Sequence, residues 1–412
     1  MTDPVPGIFV NERRLWDSLM TMGEIGALPH GGCRRLALSP EDKAGRDLFV
    51  RWCREAGCEI TIDAIGNIYA RRPGRNPSLP AAATGSHLDT QPHGGKFDGI
   101  YGVLAGLEVV RTLNDHQIET EAPIDVIVWT NEEAARFSPP LTGSGVYSGR
   151  YRLDEAQAQP TENGKTVRDD LIAIGYLGSD IPGDRKFKCF IEAHIEQGPI
   201  LEAENCQIGI VTQIQGIRWY DVTVTGQDGH AGTVPLTLRK DALHAAAEIL
   251  IALREMGLSI DDDIRLTVGR LDVIPNSGST IPGTVNFTID LRHPSEDCLV
   301  EVEDRIRQII EAVATRLGVQ ASLSPVMSVP PVLFDPDIVN TVRRCTQELG
   351  YSHRDMLSGA GHDAMNIATC TPTGMIFIPC REGVSHNEAE YASPSAVARG
   401  ANVLLRTLLA ST

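Results

Sequence analysis

Two kinds of apolar pattern alternate along the chain. Short unbroken apolar runs read as strands buried on both faces: ProAlaAlaAlaThrGly from Pro80 to Gly85, then Ile124–Thr130, Cys189–Ile195 and Gly374–Pro379. Helical patterns lie between them. Ser39 can cap a helix that opens with Pro40, Glu41 and Asp42 and stops at Gly57. Its apolar positions Ala44, Leu48, Trp52 and Ala56 recur every fourth residue and predict one buried face. Further helices are expected from about Gly99 to Leu113 and from Ser393 to Leu409. Buried strands alternating with helices predict an α/β sheet, in which function gathers beyond the carboxyl ends of the strands. His87, Glu132, Glu133 and His194 fall at or just past such ends.

The rhythm changes between Gly216 and Met327. The segment TrpTyrAspValThrValThrGly alternates as a half-buried strand, and a helix follows from Arg239 to Met256. Two more strands follow, Ile264–Ile274 and Thr284–Arg292, then a long helix from Glu296 to Leu317 and a last strand from Val319. This β-α-β-β-α-β order is the ferredoxin-like motif. The expected fold is therefore an α/β/α catalytic domain with a central mixed sheet, residues 1–212 and 328–412. A ferredoxin-like α+β domain, residues 213–327, is inserted into it.

Composition narrows the function. A chain of 412 residues suggests about two domains, and 42% apolar residues supply large cores rather than disorder. A net charge of −17 excludes a nucleic-acid binder, which needs a basic surface. No apolar run approaches the roughly 20 residues of a membrane helix. The opening segment, MetThrAspProValProGlyIlePheVal, lacks a basic stretch leading into an apolar one, so a cytoplasmic location is expected. The nine cysteines are scattered without a CxxC pair, as reduced thiols packed among apolar residues would be.

The candidate chemistry lies in four segments. Gly85–Gly99 reads GSHLDTQPHGGKFDG and holds His87, Asp89, His93 and Asp98; Asn131–Phe137 reads NEEAARF; Glu192–Pro199 reads EAHIEQGP; Val384–Tyr391 reads VSHNEAEY. Imidazoles and carboxylates together suit zinc, manganese, cobalt or nickel. A paired-metal centre needs a bridging carboxylate and terminal ligands on each side, and these segments supply such a set.

With GSHLDT, GGKFDG, NEExxRF, HIEQGP, GHAGT and SHNExE in one chain, the sequence resembles the M20 metallopeptidase superfamily and, within it, the hydantoinase/carbamoylase branch. The resemblance runs from Arg34 to the C-terminal helix. It implies two divalent metal ions per subunit: His87 and His194 on one, Glu133 and His386 on the other, Asp98 bridging. Asp89 would accept the ring N–H of His87 and fix its tautomer. Glu132 would be the general base. In the inserted domain, acting as lid and dimerisation module of a homodimer, His230 would polarise the scissile carbonyl from the partner subunit. Arg292 would clamp the substrate carboxylate. Gln197 and Gly361 match pocket-lining positions, while Arg136 has no defined role.

One departure concerns the substrate site. Where the family often has asparagine before the turn, this chain reads ProAsnSerGlySerThrIleProGly, putting Ser279 there with Asn276 three residues early. Val234 replaces a common threonine. The activity implied is hydrolysis of N-carbamoyl-L-amino acids to the amino acid, carbon dioxide and ammonia. Allantoate amidohydrolase and β-ureidopropionase are the alternatives, sharing the metals and differing in pocket lining. A peptidase or aminoacylase fits less well, because HIEQGP has histidine where most of those have a carboxylate. A scaffold that had lost catalysis would have lost a ligand or the base, and all are present.

Overall fold

The computed structural model describes residues 7–412; the first six residues, on which the leader expectation partly rests, lie outside the described residues. Two compact units emerge. One combines the described part of Met1–Thr212 with Leu333–Thr412, and the other is Gln213–Val332. The strand Gln320–Val329 runs past residue 327, so the second break in the chain falls later than 327/328.

The first unit is α/β with a central mixed sheet. Ile124–Trp129, Ala81–His87, Phe187–Ile195 and Thr373–Ile378 lie side by side and run parallel. Antiparallel neighbours extend the sheet on both sides, Ile68–Arg72 and Glu59–Ile62 on one and Ile208–Ile214 on the other. The parallel strands are buried on both faces, which explains their continuous apolar runs. Because they are parallel, their carboxyl ends share one edge. Thr84 pairs with Ile191, so three residues later His87 and His194 arrive level on adjacent strands. The helix Ile100–Asp115 is almost wholly buried and Pro394–Ser411 largely so, the latter capped by Ser393.

The helix over Pro40–Glu55 forms with Ser39 as its cap, but its buried face is not the expected one. Leu48 is buried as expected, but Ala44 is exposed and Trp52 and Ala56 are half-buried; the other buried residues are Asp42, Gly45, Arg46, Phe49, Val50 and Cys53. The cause is a buried ion pair, Arg46 Nε to Asp42 Oδ2 at 2.8 Å, whose guanidinium also donates to Gly66 O. A charge pair satisfied in this way faces the interior, and the helix turns with it.

The second unit has a four-stranded order, Leu271–Ile274, Thr284–His293, Gly216–Thr225 and Gln320–Val329, all antiparallel, with Arg265–Thr267 also on Thr284–His293. Alternate residues Tyr220, Val222, Val224 and Val285, Phe287, Ile289, Leu291 form a core with the helices Ala242–Leu258 and Glu296–Leu317. The strand expected over Ile264–Ile274 is interrupted: Val268–Arg270 face only Thr288 and Ile289, a β-bulge. The first helix starts at Ala242 rather than Arg239. Asp241 caps it by accepting from Leu243 N and His244 N, while Arg239 is drawn off to the carbonyls of Ala231 and Val234. Among the described residues, no helix is long and apolar enough to cross a membrane.

Candidate active site

At the carboxyl edge of the first unit's sheet, two histidines end two strands and are anchored in the same way. His87 Nδ1 lies 2.8 Å from the main-chain carbonyl of Asp89, and His194 Nδ1 lies 2.9 Å from that of Ile195. A carbonyl only accepts, so both rings carry a proton on Nδ1 and turn Nε2 toward the site, where that of His194 also accepts from Gly99 N at 3.1 Å. Both Nε2 atoms turn to one oxygen of Asp98, Oδ1, at 3.7 and 3.2 Å. The other oxygen, Oδ2, faces His386 Nε2 at 3.3 Å, and that ring nitrogen is 3.4 Å from Glu133 Oε2. Asp98 thus stands between two donor groups. His87, Asp98 and His194 form one triad and Asp98, Glu133 and His386 another, the ligand atoms of each within 4.8 Å of one another.

Asp89 faces the His87 ring with its carbonyl; its carboxylate, 4.0 Å from Nδ1, accepts instead from the main-chain N–H of Glu132 and Glu133 at 3.3 and 3.2 Å. Those bonds hold the Glu-Glu pair in a bend flanked by Asn131 and Ala134, both at positive φ. Such strained backbone clusters at functional sites. Glu132 Oε2 comes within 3.7 Å of His87 Nε2 but belongs to neither triad. Gln91 Nε2 donates to Glu133 Oε2 at 2.8 Å. Gln197, itself at φ 57°, donates to Asp98 Oδ2 at 2.9 Å and to Ser385 Oγ at 3.0 Å.

The electrostatics favour a bound cation. Burial, then Glu133 and other neighbouring carboxylates, push Glu132 well above the carboxylate range. Burial and Asp98 push Glu133 up to about 8. Burial lowers His87 to about 4, keeping it neutral and able to coordinate. Against burial, Asp98 raises His194 to about 9, and it raises His386 to about 9 as well, so these two rings give up a proton when they coordinate. Crowded carboxylates beside imidazoles match the donor chemistry of divalent metals, and the residues present fit such ions.

Three further residues of the site escape a reading of the sequence. Glu390, fourth after His386 in the SHNExE segment, accepts from the main-chain N–H of Phe97 and Asp98. Glu192, in the same strand as His194, takes Ser86 Oγ at 2.6 Å and Ala364 N at 2.9 Å. His362 follows Gly361, and its ring centroid is 4.5 Å from that of His194. A histidine inside SGAGHDAM is the available signal for it; for Glu192 the signal is a carboxylate inside an apolar strand, at the head of EAHIEQGP. Arg136 pairs with Asp170 at 2.7 Å and donates to Ala37 O, tying the Glu-Glu loop to its surroundings.

The remaining candidates belong to the second unit. His230 is exposed on a short ribbon, paired with Thr280; Ala231 N donates to Ser279 O, so His230 and Ser279 are neighbours. Gly232 N donates to His230 Nδ1 at 3.0 Å, which leaves Nε2–H as a hydrogen-bond donor in the neutral ring. Asn276 is exposed, at φ 54°. Arg292 sits near the far end of Thr284–His293 and is gripped in two-bond geometry by Asp290, both contacts 2.9 Å.

Known proteins are similar to this chain over most of its length. The model of peptidase family M20/M25/M40 matches residues 83–410. The chain is 46% identical to an N-carbamoyl-L-amino-acid amidohydrolase of Rhizobium meliloti, covering 97% of this chain and 96% of that one. It is 32% identical to an allantoate amidohydrolase of Bacillus subtilis, covering 94% and 95%. A crystal structure of an amidase of the hydantoinase/carbamoylase family from Burkholderia multivorans superposes with a TM-score of 0.96 at 49% identity, over 98% of this chain and 99% of that one. With its histidine–carboxylate cluster at the sheet edge and a family match across most of its length, the chain belongs to peptidase family M20/M25/M40.

Proposed function

We propose that this chain hydrolyses the carbamoyl C–N bond of N-carbamoyl-L-amino acids, consuming one water and releasing the L-amino acid, carbon dioxide and ammonia. One observation carries the reading: Glu132, a half-buried carboxylate outside both ligand triads yet 3.7 Å from His87 Nε2, in a chain so similar end to end to an N-carbamoyl-L-amino-acid amidohydrolase. Two divalent ions, of zinc, manganese, cobalt or nickel, would be held by His87 and His194, by Glu133 and His386, and by Asp98 between them. When bound, they supply a lowered water pKa and polarise the carbonyl oxygen. Glu132 accepts the proton of the attacking water and hands it to the departing nitrogen, a task closed to Glu133 while it is a ligand. His230 donates from Nε2 to the carbamoyl oxygen. Arg292 binds the α-carboxylate. Gln197, Asn276, Ser279 and Gly361 complete the polar lining.

A site shared between the two chains of a homodimer is supported by the second unit's own geometry. His230 lies beyond the Thr284 end of the strand Thr284–His293, and Arg292 lies near the other end, eight residues on. That is about 26 Å of strand at roughly 3.3 Å per residue. A small ureido substrate is far shorter, which favours His230 from one chain meeting Arg292 from another.

The relative named allantoate amidohydrolase supports a second reading, with β-ureidopropionase beside it, on the same centre. Ammonia release over a panel of N-carbamoyl-L-α-amino acids, N-carbamoyl-β-alanine and allantoate decides between them. The highest kcat/KM is expected on an N-carbamoyl-L-α-amino acid. Preference for allantoate or N-carbamoyl-β-alanine transfers the assignment, and no ammonia from any of them refutes it.

A further inference from the structure

The segment carrying Asp98 and the segment carrying His386 are nearly three hundred positions apart in the chain, and one side chain joins them. Glu390 is 5% exposed. Its Oε1 accepts from Phe97 N at 2.9 Å and Asp98 N at 3.0 Å, and its Oε2 receives Ser385 Oγ at 3.0 Å. Ser385 immediately precedes His386, and its Oγ is also 3.1 Å from Asp98 Oδ2. The chain around Asp98 closes tightly on this carboxylate. A Cβ placed on Gly95 would lie 2.0 Å from Glu390 Oε1, so only glycine lets the loop wrap the acceptor. Aromatic contacts back the same clip, with the Phe97 and Tyr391 rings 6.1 Å apart at 83°.

We infer that Glu390 is a positioning residue for the metal centre: it fixes the backbone from which the Asp98 carboxylate is presented and clamps it to the segment that presents His386. The inference rests on the reading of Asp98 and His386 as metal ligands. Two adjacent main-chain N–H groups aimed at one oxygen leave the Asp98 backbone little freedom, so its carboxylate needs no reorganisation to hold an ion. Without the acceptor, two buried N–H groups lose their partner and the loop must move to find others. The function demands an acceptor of the right reach rather than a charge. An amide oxygen serves Phe97 N and Asp98 N equally well. Its NH2 can donate to Ser385 Oγ, which keeps its own proton for Asp98 Oδ2.

The test compares wild type with Glu390→Ala, Glu390→Asp and Glu390→Gln, all stripped of metal. Zn²⁺ affinity is measured by competition with a chromophoric chelator, and the melting temperature of each apo form is recorded beside it. Removing a group that orients a metal ligand typically weakens metal affinity about 10–100-fold. Glu390→Ala is expected in that range, Glu390→Asp near its lower end because its reach is one methylene short, and Glu390→Gln within about three-fold of wild type on the same scale. A purely structural role would lower the apo melting temperature of the alanine form and leave the affinity of folded protein unchanged; that result overturns the inference. So does a glutamine form as weak as the alanine form. If Glu390→Ala does not fold, the contrast between the aspartate and glutamine forms decides, and equal wild-type affinity in both refutes the role. Wild-type protein that takes up no Zn²⁺ would instead refute the reading of Asp98 and His386 as ligands.

Discussion

Gly99 follows Asp98 directly and has φ 70°, ψ −49°, a conformation outside the regions open to residues with a side chain. A Cβ there would meet the His87 ring head-on, 2.3 Å from Nε2 and 2.4 Å from Cδ2 and Cε1. The ring has nowhere to go, being 2% exposed and held through Nδ1 by the Asp89 carbonyl. Gly99→Ala therefore carries two penalties. Backbone strain costs about 1–3 kcal/mol, and overpacking a filled site costs about 1–3 kcal/mol more. At about 2 °C per kcal/mol for a unit of this size, the combined roughly 2–6 kcal/mol lowers the apo melting temperature by roughly 4–12 °C. The displaced ring also takes Nε2 out of line with Asp98, so the variant binds less metal. Gly175→Ala is the control: it too lies at positive φ, 77°, but no atom stands within 4 Å of its Cβ. It suffers only the left-handed strain of about 1–2 kcal/mol and keeps its metal. Calorimetry of the apo forms and elemental analysis of the loaded forms measure both differences. A Gly99→Ala protein that melts with the Gly175→Ala protein and carries the same metal would refute the reasoning.

Glu132→Gln should retain metal and lose turnover by about 10²–10⁴-fold, as removal of a general base does; loss of metal with an unchanged rate per bound ion would exchange the roles of Glu132 and Glu133. A His230→Ala chain mixed with a Glu132→Gln chain should regain part of the activity after subunit exchange, because one of the two sites in each heterodimer then has both groups; a fully active monomer contradicts this. Arg292→Ala should reduce kcat/KM on an N-carbamoyl amino acid by at least roughly ten-fold, the value of a lost charge-assisted hydrogen bond at its lower end, because Asp290 already balances the guanidinium and it is partly exposed. Arg292→Lys should recover only part of it, and a wild type that hydrolyses the substrate and its amide equally would remove the carboxylate role.

Much of the site is legible in the residues themselves. An apolar run that ends in histidine announces a strand delivering a ligand to a sheet edge, and both His87 and His194 stand in that position. What periodicity cannot supply is register: that Thr84 pairs with Ile191, and hence that the two histidines arrive level, depends on which strands become neighbours. The Pro40–Glu55 helix misleads for a physical reason. Its inward face carries Asp42 and Arg46, and a buried ion pair is invisible to a search for apolar spacing. Glu390 escapes because it acts on main-chain amides far away in the chain, and a main-chain amide has no letter in the sequence.

The way the two strand-end histidines are anchored has an evolutionary consequence. Their ring protons are pinned by peptide carbonyls of Asp89 and Ile195, atoms that every substitution leaves in place. Glu133 and the second oxygen of Asp98 are instead tuned by the side chains of Gln91, Gln197 and Ser385, each one codon change from something different. Drift within this lineage should therefore be lopsided: one half of the centre inherited almost unchanged with the strands, the other free to adjust its ion preference one neighbouring residue at a time.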